Sequence, residues 1–364
     1  MPSIAFPPRA SQRLGLDANS LHDRKLCHLK ENIMRNHRRL PAPGAQHRRS
    51  CFKTGFLAGL LVTLAILTNT QPSAAQAGRV EKPNITFGVF PITNYGVVYL
   101  SLQQGFFQAE GLNVTPRVMG TNPVAGIVGG DFDTGGVTWT AFLLATNRGV
   151  PLLPLSEADR GTPGQALFMV KNDSPIKQTE DLIGKKIAVV TVGGACDLIL
   201  NDVLHKKGLD YKSIGYTVMG VPDMAPTVLR GGVDAACIPE PLLSVVQAQG
   251  GLRSVFDLFA GEYDRFPLVG FPVTQKFAES NPNTVAALQR ALANGLDFAH
   301  NNPNKLRDIY PTFTTLKPEL ARKIVLSYTP EKSDFTQLKK IADLMDRLQM
   351  LPGKTQLPDV ATPR

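Results

Sequence analysis

The sequence predicts an α/β protein of two lobes, from three features. Short apolar strands alternate with amphipathic helices from Asn84 onward, and the alternation restarts near Ser174. One small unit is also written twice: "GDFDTGGV" at Gly130–Val137 and "GGVDAACI" at Gly231–Ile238 lie 101 residues apart. Each follows an apolar run, makes a small-residue turn with an Asp, and ends in a second short apolar run. Strand–helix–strand repetition at this spacing argues a parallel sheet.

Each element has its own warrant. "NITFGVF" (Asn84–Phe90) has the β-rich, alternating composition of a strand. "YGVVYLSLQQGFFQAEG" reads as a helix, with Val97, Leu100 and Phe107 on one face and Gly111 beyond its end. "NVTPRVM" is a second strand, and "NPVAGIVGG" a helix with Asn122 and Pro123 in capping positions. "TGGVTW" is a third strand, "TAFLLATNRG" a helix closed by Gly149, and "PLLPLSE" a fourth strand with prolines at its ends.

The second half follows the same order. "QALFMVKN" leaves the first half, and "SPIKQTEDLIGKKIAVVTV" supplies a short helix and a buried strand over Lys186–Val192. "GGACDLILNDVLHKKGL" is a helix with Leu198, Val203 and Leu204 inward. Lys206 and Lys207 stand at its carboxyl end, where cations suit the dipole. "YTVMGV", the helix "MAPTVLRGG" and the strand "DAACIP" complete the unit. "PLVGFPVT" returns as a strand, and Pro282–Leu351 is largely helical. The expected division is a first lobe over 80–167, a second over 168–271, a return to the first over 272–351, and a tail over 352–364. The chain is expected to cross at Phe168–Asn172 and Phe266–Val273, forming a two-segment hinge.

Charge excludes one class of function. The formal net charge is +9, yet residues 1–53 hold eleven Lys and Arg against three Asp and Glu. The remaining chain is close to neutral, so it carries no electrostatic footprint for nucleic acid. The basic stretch runs into the uncharged "TGFLAGLLVTLAILT" at Thr54–Thr68, then "SAAQAG". A spanning helix needs about 20 apolar residues, so this reads as a signal peptide over 1–77, cleaved after Ala77. "HRRSCFK" at His47–Lys53 resembles a twin-arginine signal with Cys51 in place of the usual large apolar residue. Met1 and Met34 are both candidate starts.

Cys27 and Cys51 leave with such a leader, and Cys196 and Cys237 remain in an oxidising compartment. Both are expected at the cleft end of second-lobe strands, where they either form a disulfide or line the pocket; two unrelated buried residues is the plain alternative. Their spacing makes no zinc site, and no catalytic triad, HExxH, P-loop or dinucleotide fingerprint is present. No metal or cofactor is therefore expected.

Four stretches carry a family resemblance: "FPITNYGVVYLSLQQGFFQAEGLNV", "GGDFDTGGV", "SPIKQTEDLIGKKIAV" and "LRGGVDAACIPEPLLSVV". They resemble the solute-binding proteins of nitrate/taurine/sulfonate-type ABC importers, a group that includes relatives of the thiamine pyrimidine synthase. The likeness runs from about Asn84 to Leu351. It implies a type II periplasmic-binding-protein fold and a monomeric, non-enzymatic receptor. Such a receptor closes two lobes on a small solute and delivers it to a permease and an ATPase.

The resemblance also implies pocket residues. The turn after the first strand gives Thr93, Asn94 and Tyr95, and the segment before the second helix gives Thr121 and Asn122. Thr138, Trp139 and Thr140 follow the third strand. The second lobe gives Gly193, Gly194, Cys196 and Asp197, then Cys237 and Glu240. Asn94 and Asn122 read equally as helix caps, Trp139 as core, and Glu240 as a solvated turn. The chain departs from the family at Gly193–Asp197, where sulfonate and nitrate binders tend to have hydroxyls. Asp197 and Glu240 would repel a bare anion, so a taurine-like zwitterion or an amino-heterocycle fits better than nitrate. Two other readings remain: an enzyme of the synthase-like group, and a receptor subunit that signals through a sensor.

Overall fold

The structure, a computed structural model, describes residues 79–120 and 122–361. The expected leader and its cleavage site, Cys27, Cys51 and Thr121 lie outside the described residues.

The first strand, β1 (Asn84–Val89), is followed by two helices, α1 (Gly96–Gln103) and α2 (Phe106–Ala109). One helix was expected there. Gly105 takes φ 75° between them, a left-handed conformation that ends a right-handed helix. Next come β2 (Asn113–Val118), α3 (Pro123–Gly129), β3 (Thr134–Gly135), β4 (Val137–Thr138), α4 (Trp139–Thr146) and β5 (Leu152–Arg160). The expected strand over 134–139 is thus cut short, because the Thr138 hydroxyl accepts from Ala141 N at 3.3 Å and starts a helix at Trp139. Pro154 lies inside β5 and not at its end; it stands opposite Pro272 beside an irregularity of the ladder, where no N–H is required.

The remaining elements are β6 (Ala166–Lys171), β7 (Lys186–Val189), α5 (Ala195–Lys206), β8 (Gly215–Val218), α6 (Val221–Leu229), β9 (Ala235–Pro239), α7 (Leu242–Gln249) and β10 (Leu252–Asp257). They are followed by β11 (Pro267–Thr274), α8 (Gln275–Ser280), α9 (Pro282–Asn301), α10 (Pro303–Ile309), α11 (Pro318–Ala321) and α12 (Leu338–Arg347). The strands form three sheets, ordered β2-β1-β3, β10-β6-β9-β7-β8 and β4-β11-β5. The parallel sheet expected from the sequence holds for β1 with β2 and β3, and for β7 with β8 and β9. In contrast, β6 runs antiparallel to β9 and β10, and β11 antiparallel to β4 and β5. Both strands enter from a different sheet, without the crossover helix that a parallel pairing needs.

The twice-written unit is one piece of structure used twice. The orders β2-β1-β3 and β8-β7-β9 correspond, and so do their hydrogen bonds. Asp133 accepts from Thr86 N at 2.9 Å through its carboxylate, while its own N–H donates to Thr86 O at 3.0 Å. Asp234 does the same with Lys186, at 2.8 Å in both directions. Met119 N donates to Val89 O and Met219 N to Val189 O, at 3.0 and 3.1 Å. The repeated Asp is therefore a staple at the entry of a parallel strand pair. It satisfies a strand-edge N–H that would otherwise stay unpaired.

Apolar packing joins these sheets through the helices. Leu344 and Met345 of α12 belong to the same buried cluster as Leu198 and Leu200 of α5 and Phe142 of α4. Arg347 at the end of α12 donates through Nε and Nη2 to the two oxygens of buried Asp202 in α5, at 2.7 and 3.0 Å. Burial raises the carboxyl pKa of Asp202, but donors from Arg347, Tyr263 and Lys206 hold it below its ordinary range.

Candidate functional site

The turn after β1 is a single 3₁₀ turn over Thr93–Tyr95. Its three side chains part company. Asn94 is half-buried and donates through Nδ2 to Asp159 Oδ2 at 2.7 Å. Thr93 is buried. Tyr95 is core: its ring meets Phe90 and Phe271, and its hydroxyl donates to Gly136 O at 3.3 Å. Burial, with the charge of Asp159 adding to it, pushes that hydroxyl's pKa far up.

The residues after β4 are core and caps, a correction to the place at the ligand that the resemblance implies for them. Trp139 is 0% exposed and makes edge contacts with Phe142 and Phe335. Its indole lies on Gly270 of β11, where an added Cβ would stand 1.8 Å from the ring. Its Nε1–H has no acceptor among the described residues, so packing alone holds the ring. Thr140 is buried beside it, Thr138 caps α4, and exposed Asn122 caps α3 by accepting from Ala125 N at 3.1 Å.

The second half supplies a loop closed on itself. Gly193, at φ 81°, and Gly194 both donate their N–H to Asp197, at 2.7 and 2.9 Å. The amides expected to meet a ligand are thus held by the chain's own carboxylate. Burial pushes the carboxyl pKa of Asp197 up, with those N–H donors pulling the other way. Cys196 and Cys237 form a disulfide with α-carbons 6.2 Å apart, joining the first turn of α5 to β9. Glu240 is 4% exposed and also engaged within the protein, a correction to its reading as a solvated turn. It accepts from Ser244 Oγ at 2.6 Å, Ser244 N at 3.0 Å and Val325 N at 3.2 Å.

Sequence reasoning missed the polar end of β5. The fourth strand was expected to close at Glu157, yet β5 runs on to Arg160, and Ser156, Glu157, Asp159 and Arg160 are all buried. The available signal was three charges crowded into a strand that is otherwise apolar. Arg160 is bidentate to Glu157, donating from Nε at 3.1 Å and Nη2 at 2.7 Å. Asp334 N also donates to Glu157, at 2.8 Å. Burial is the largest influence on the Asp159 carboxyl and pushes it up to about 7; the Glu157 charge adds to this, while Ser327 and Asn94 offset part of it. Its Oδ1 makes no hydrogen bond of good geometry.

Two hollows lie elsewhere. One of about 350 Å³ is lined by Ile127, Phe132, Lys276 and Phe277 among others, and one of about 130 Å³ by Leu102, Phe107 and Leu112 among others. Neither includes a residue expected at the ligand. Among the described residues no group of three or more His, Cys, Asp and Glu is placed to hold a metal ion.

Comparison with known proteins gives this geometry a context. A family profile described as "NMT1/THI5 like" matches residues 92–306. The nitrate/nitrite binding protein NrtA of Nostoc sp. (strain PCC 7120) is 24% identical over 258 residues, covering 64% of this chain and 58% of that protein. A putative aliphatic sulfonates-binding protein of Escherichia coli K12 is 33% identical over 95 residues, covering 26% of this chain and 30% of that protein. The chain thus spans less than two thirds of the length of either relative. The alkanesulfonate-binding protein SsuA from Xanthomonas axonopodis pv. citri, bound to MOPS, superposes with a TM-score of 0.63 at 20% identity. That match covers 76% of this chain and 96% of the other, and it bears on the fold.

Proposed function

The chain belongs to the NMT1/THI5-like family, and from that premise we propose that it is an extracytoplasmic solute-binding receptor of an ABC importer. It works as a monomer and performs no chemistry. One lobe holds β1–β5 with β11 and the helices that follow it, the other β6–β10, and they close on a solute that is passed to a membrane permease and its ATPase. Closure is a shift between two states, and a ligand drives it only by binding the closed state better. The leader carries the protein to the periplasm and is cut after Ala77.

One observation carries this reading. Asn94 follows β1, Asp159 is the penultimate residue of β5, Asp197 follows β7 and Glu240 follows β9, so polar residues stand at or near the carboxyl ends of strands in separate sheets. Ligands of open α/β sheets bind at such ends. The solute is a small polar organic molecule, a taurine-like zwitterion or an amino-heterocycle. Nitrate is disfavoured, since Asp197 already fills the Gly193 and Gly194 amides with negative charge.

A thermal-shift screen of the mature protein tests the proposal, because a ligand selective for the native state raises the melting temperature. Stabilisation by a sulfonate, amino acid or aminopyrimidine, with the compound recovered unchanged, is the expected result. Turnover of a bound compound, or no stabilisation by any of them, overturns it.

A further inference from the structure

We propose that Asp159 is the specificity-determining residue of this site, and that it selects a ligand carrying a protonated amine or amidine. The inference rests on the receptor reading above and names the ligand class of that same site.

It starts from an imbalance of buried charge. Among the described residues, Glu157, Asp159, Asp197, Asp202 and Glu240 are buried carboxylates, and Arg160 is the one buried Lys or Arg. Four of the five are settled. Glu157 has Arg160, and Asp202 has Arg347 with Lys206 at 2.9 Å. Asp197 has two backbone amides, and Glu240 has Ser244 and Val325.

Asp159 is the exception. It is 2% exposed and has no Lys or Arg within ion-pair distance among the described residues, and its Oδ2 accepts from Asn94. The Ser327 hydroxyl and the Val269 N–H stand close to the carboxyl, but neither meets the buried Oδ1 with good hydrogen-bond geometry. Leaving a charged acceptor buried and unmet costs more than leaving a neutral donor such as the Trp139 indole unmet, and a ligand, an ion or a water at that atom relieves the cost.

Position and chemistry narrow the partner. Asp159 stands at the penultimate position of β5 and is hydrogen-bonded to Asn94 in the turn that follows β1, and solvent already reaches half-buried Asn94. A metal ion would need further ligating groups, and no cluster able to hold one occurs among the described residues. Glu157 adds negative charge nearby, with Arg160 already committed to it, so the field at Oδ1 repels anions. A directional N–H donor with positive charge satisfies both oxygen and field.

Matched probes test this by calorimetry on the mature protein. Taurine is compared with ethanesulfonate, 4-aminobutyrate with butyrate, and 4-amino-2-methylpyrimidine with its 4-hydroxy analogue. In at least one pair the amine-bearing member should bind tenfold or more tightly, and Asp159→Asn should erase that preference. If that variant does not fold, Asp159→Glu, which keeps the charge but displaces the carboxylate oxygens, takes its place: it should reduce the preference, and an unchanged preference overturns the inference. Equal or tighter binding of the amine-free members, or of nitrate, overturns this inference and leaves the receptor reading standing. So does a preference that survives in Asp159→Asn. If no probe of either kind binds, both readings fall together.

Discussion

Trp139 is the side chain whose meaning the structure changes most. It is the one tryptophan of the sequence and it follows the repeated unit, so a place at the ligand was a reasonable expectation. In the fold its ring fills the space above Gly270 and is fully buried. Trp139→Ala should therefore destabilise the protein by about 3–5 kcal/mol, measured by urea denaturation. Unchanged stability would return the ring to the cleft. Asp159 supports a second prediction, on pH. Its folded carboxyl is raised to about 7 from an ordinary value near 3.8, so the folded state holds a proton that the unfolded state releases earlier. The resulting penalty is absent below about pH 4, grows as pH rises towards 7, and is constant above it. Asp159→Asn should flatten the fall in melting temperature across that window. In wild type, affinity for an amine-bearing ligand should weaken as pH drops below 7, because protonation removes the charge it meets.

At the level of elements, the turn that opens α5 is held from three sides. Asp197 accepts from the two glycine amides, Gly193 supplies a left-handed residue, and the disulfide ties the first turn to β9. The bridge joins cysteines separated by 41 residues. On chain-entropy grounds a loop of that size contributes about 4 kcal/mol by restricting the unfolded chain. Exported mature protein should titrate no free thiol, and Cys196→Ser with Cys237→Ser should lower the urea midpoint by an amount that reductant reproduces in wild type. A midpoint insensitive to reductant would mean that the bridge does not form in solution.

For the molecule as a whole, the receptor reading predicts closure. The expected hinge stretches, Phe168–Asn172 and Phe266–Val273, lie largely within β6 and β11, where ladder pairing holds them. The chain passes from the β4-β11-β5 sheet to the five-stranded sheet after Arg160 and returns before Pro267. Two adjacent crossings of this kind allow rotation of one body on the other with few backbone changes. Small-angle scattering should show a smaller radius of gyration with ligand than without. An unchanged profile at saturating ligand would argue for a rigid site.

The sequence by itself determined the alternation of strands and helices, the repeated unit and the family, because these rest on local periodicity, turn residues and short motifs. It also brought Cys196 and Cys237 to neighbouring strand ends, leaving open whether they bond. The direction of β6 and β11, the short β3, the presence of β10 and the placing of Pro154 were decided by which strands meet, a matter of long-range pairing. The same holds for the site. Asn94, Asp197 and Glu240 could be named from motifs, but their donors and acceptors come from residues up to 85 positions away, as Val325 does for Glu240. Asp159 was hidden for that reason. Nothing in "SEADR" says which of its carboxylates meets a cation, and only the packed structure gives Arg160 to Glu157 and leaves one oxygen of Asp159 unmet.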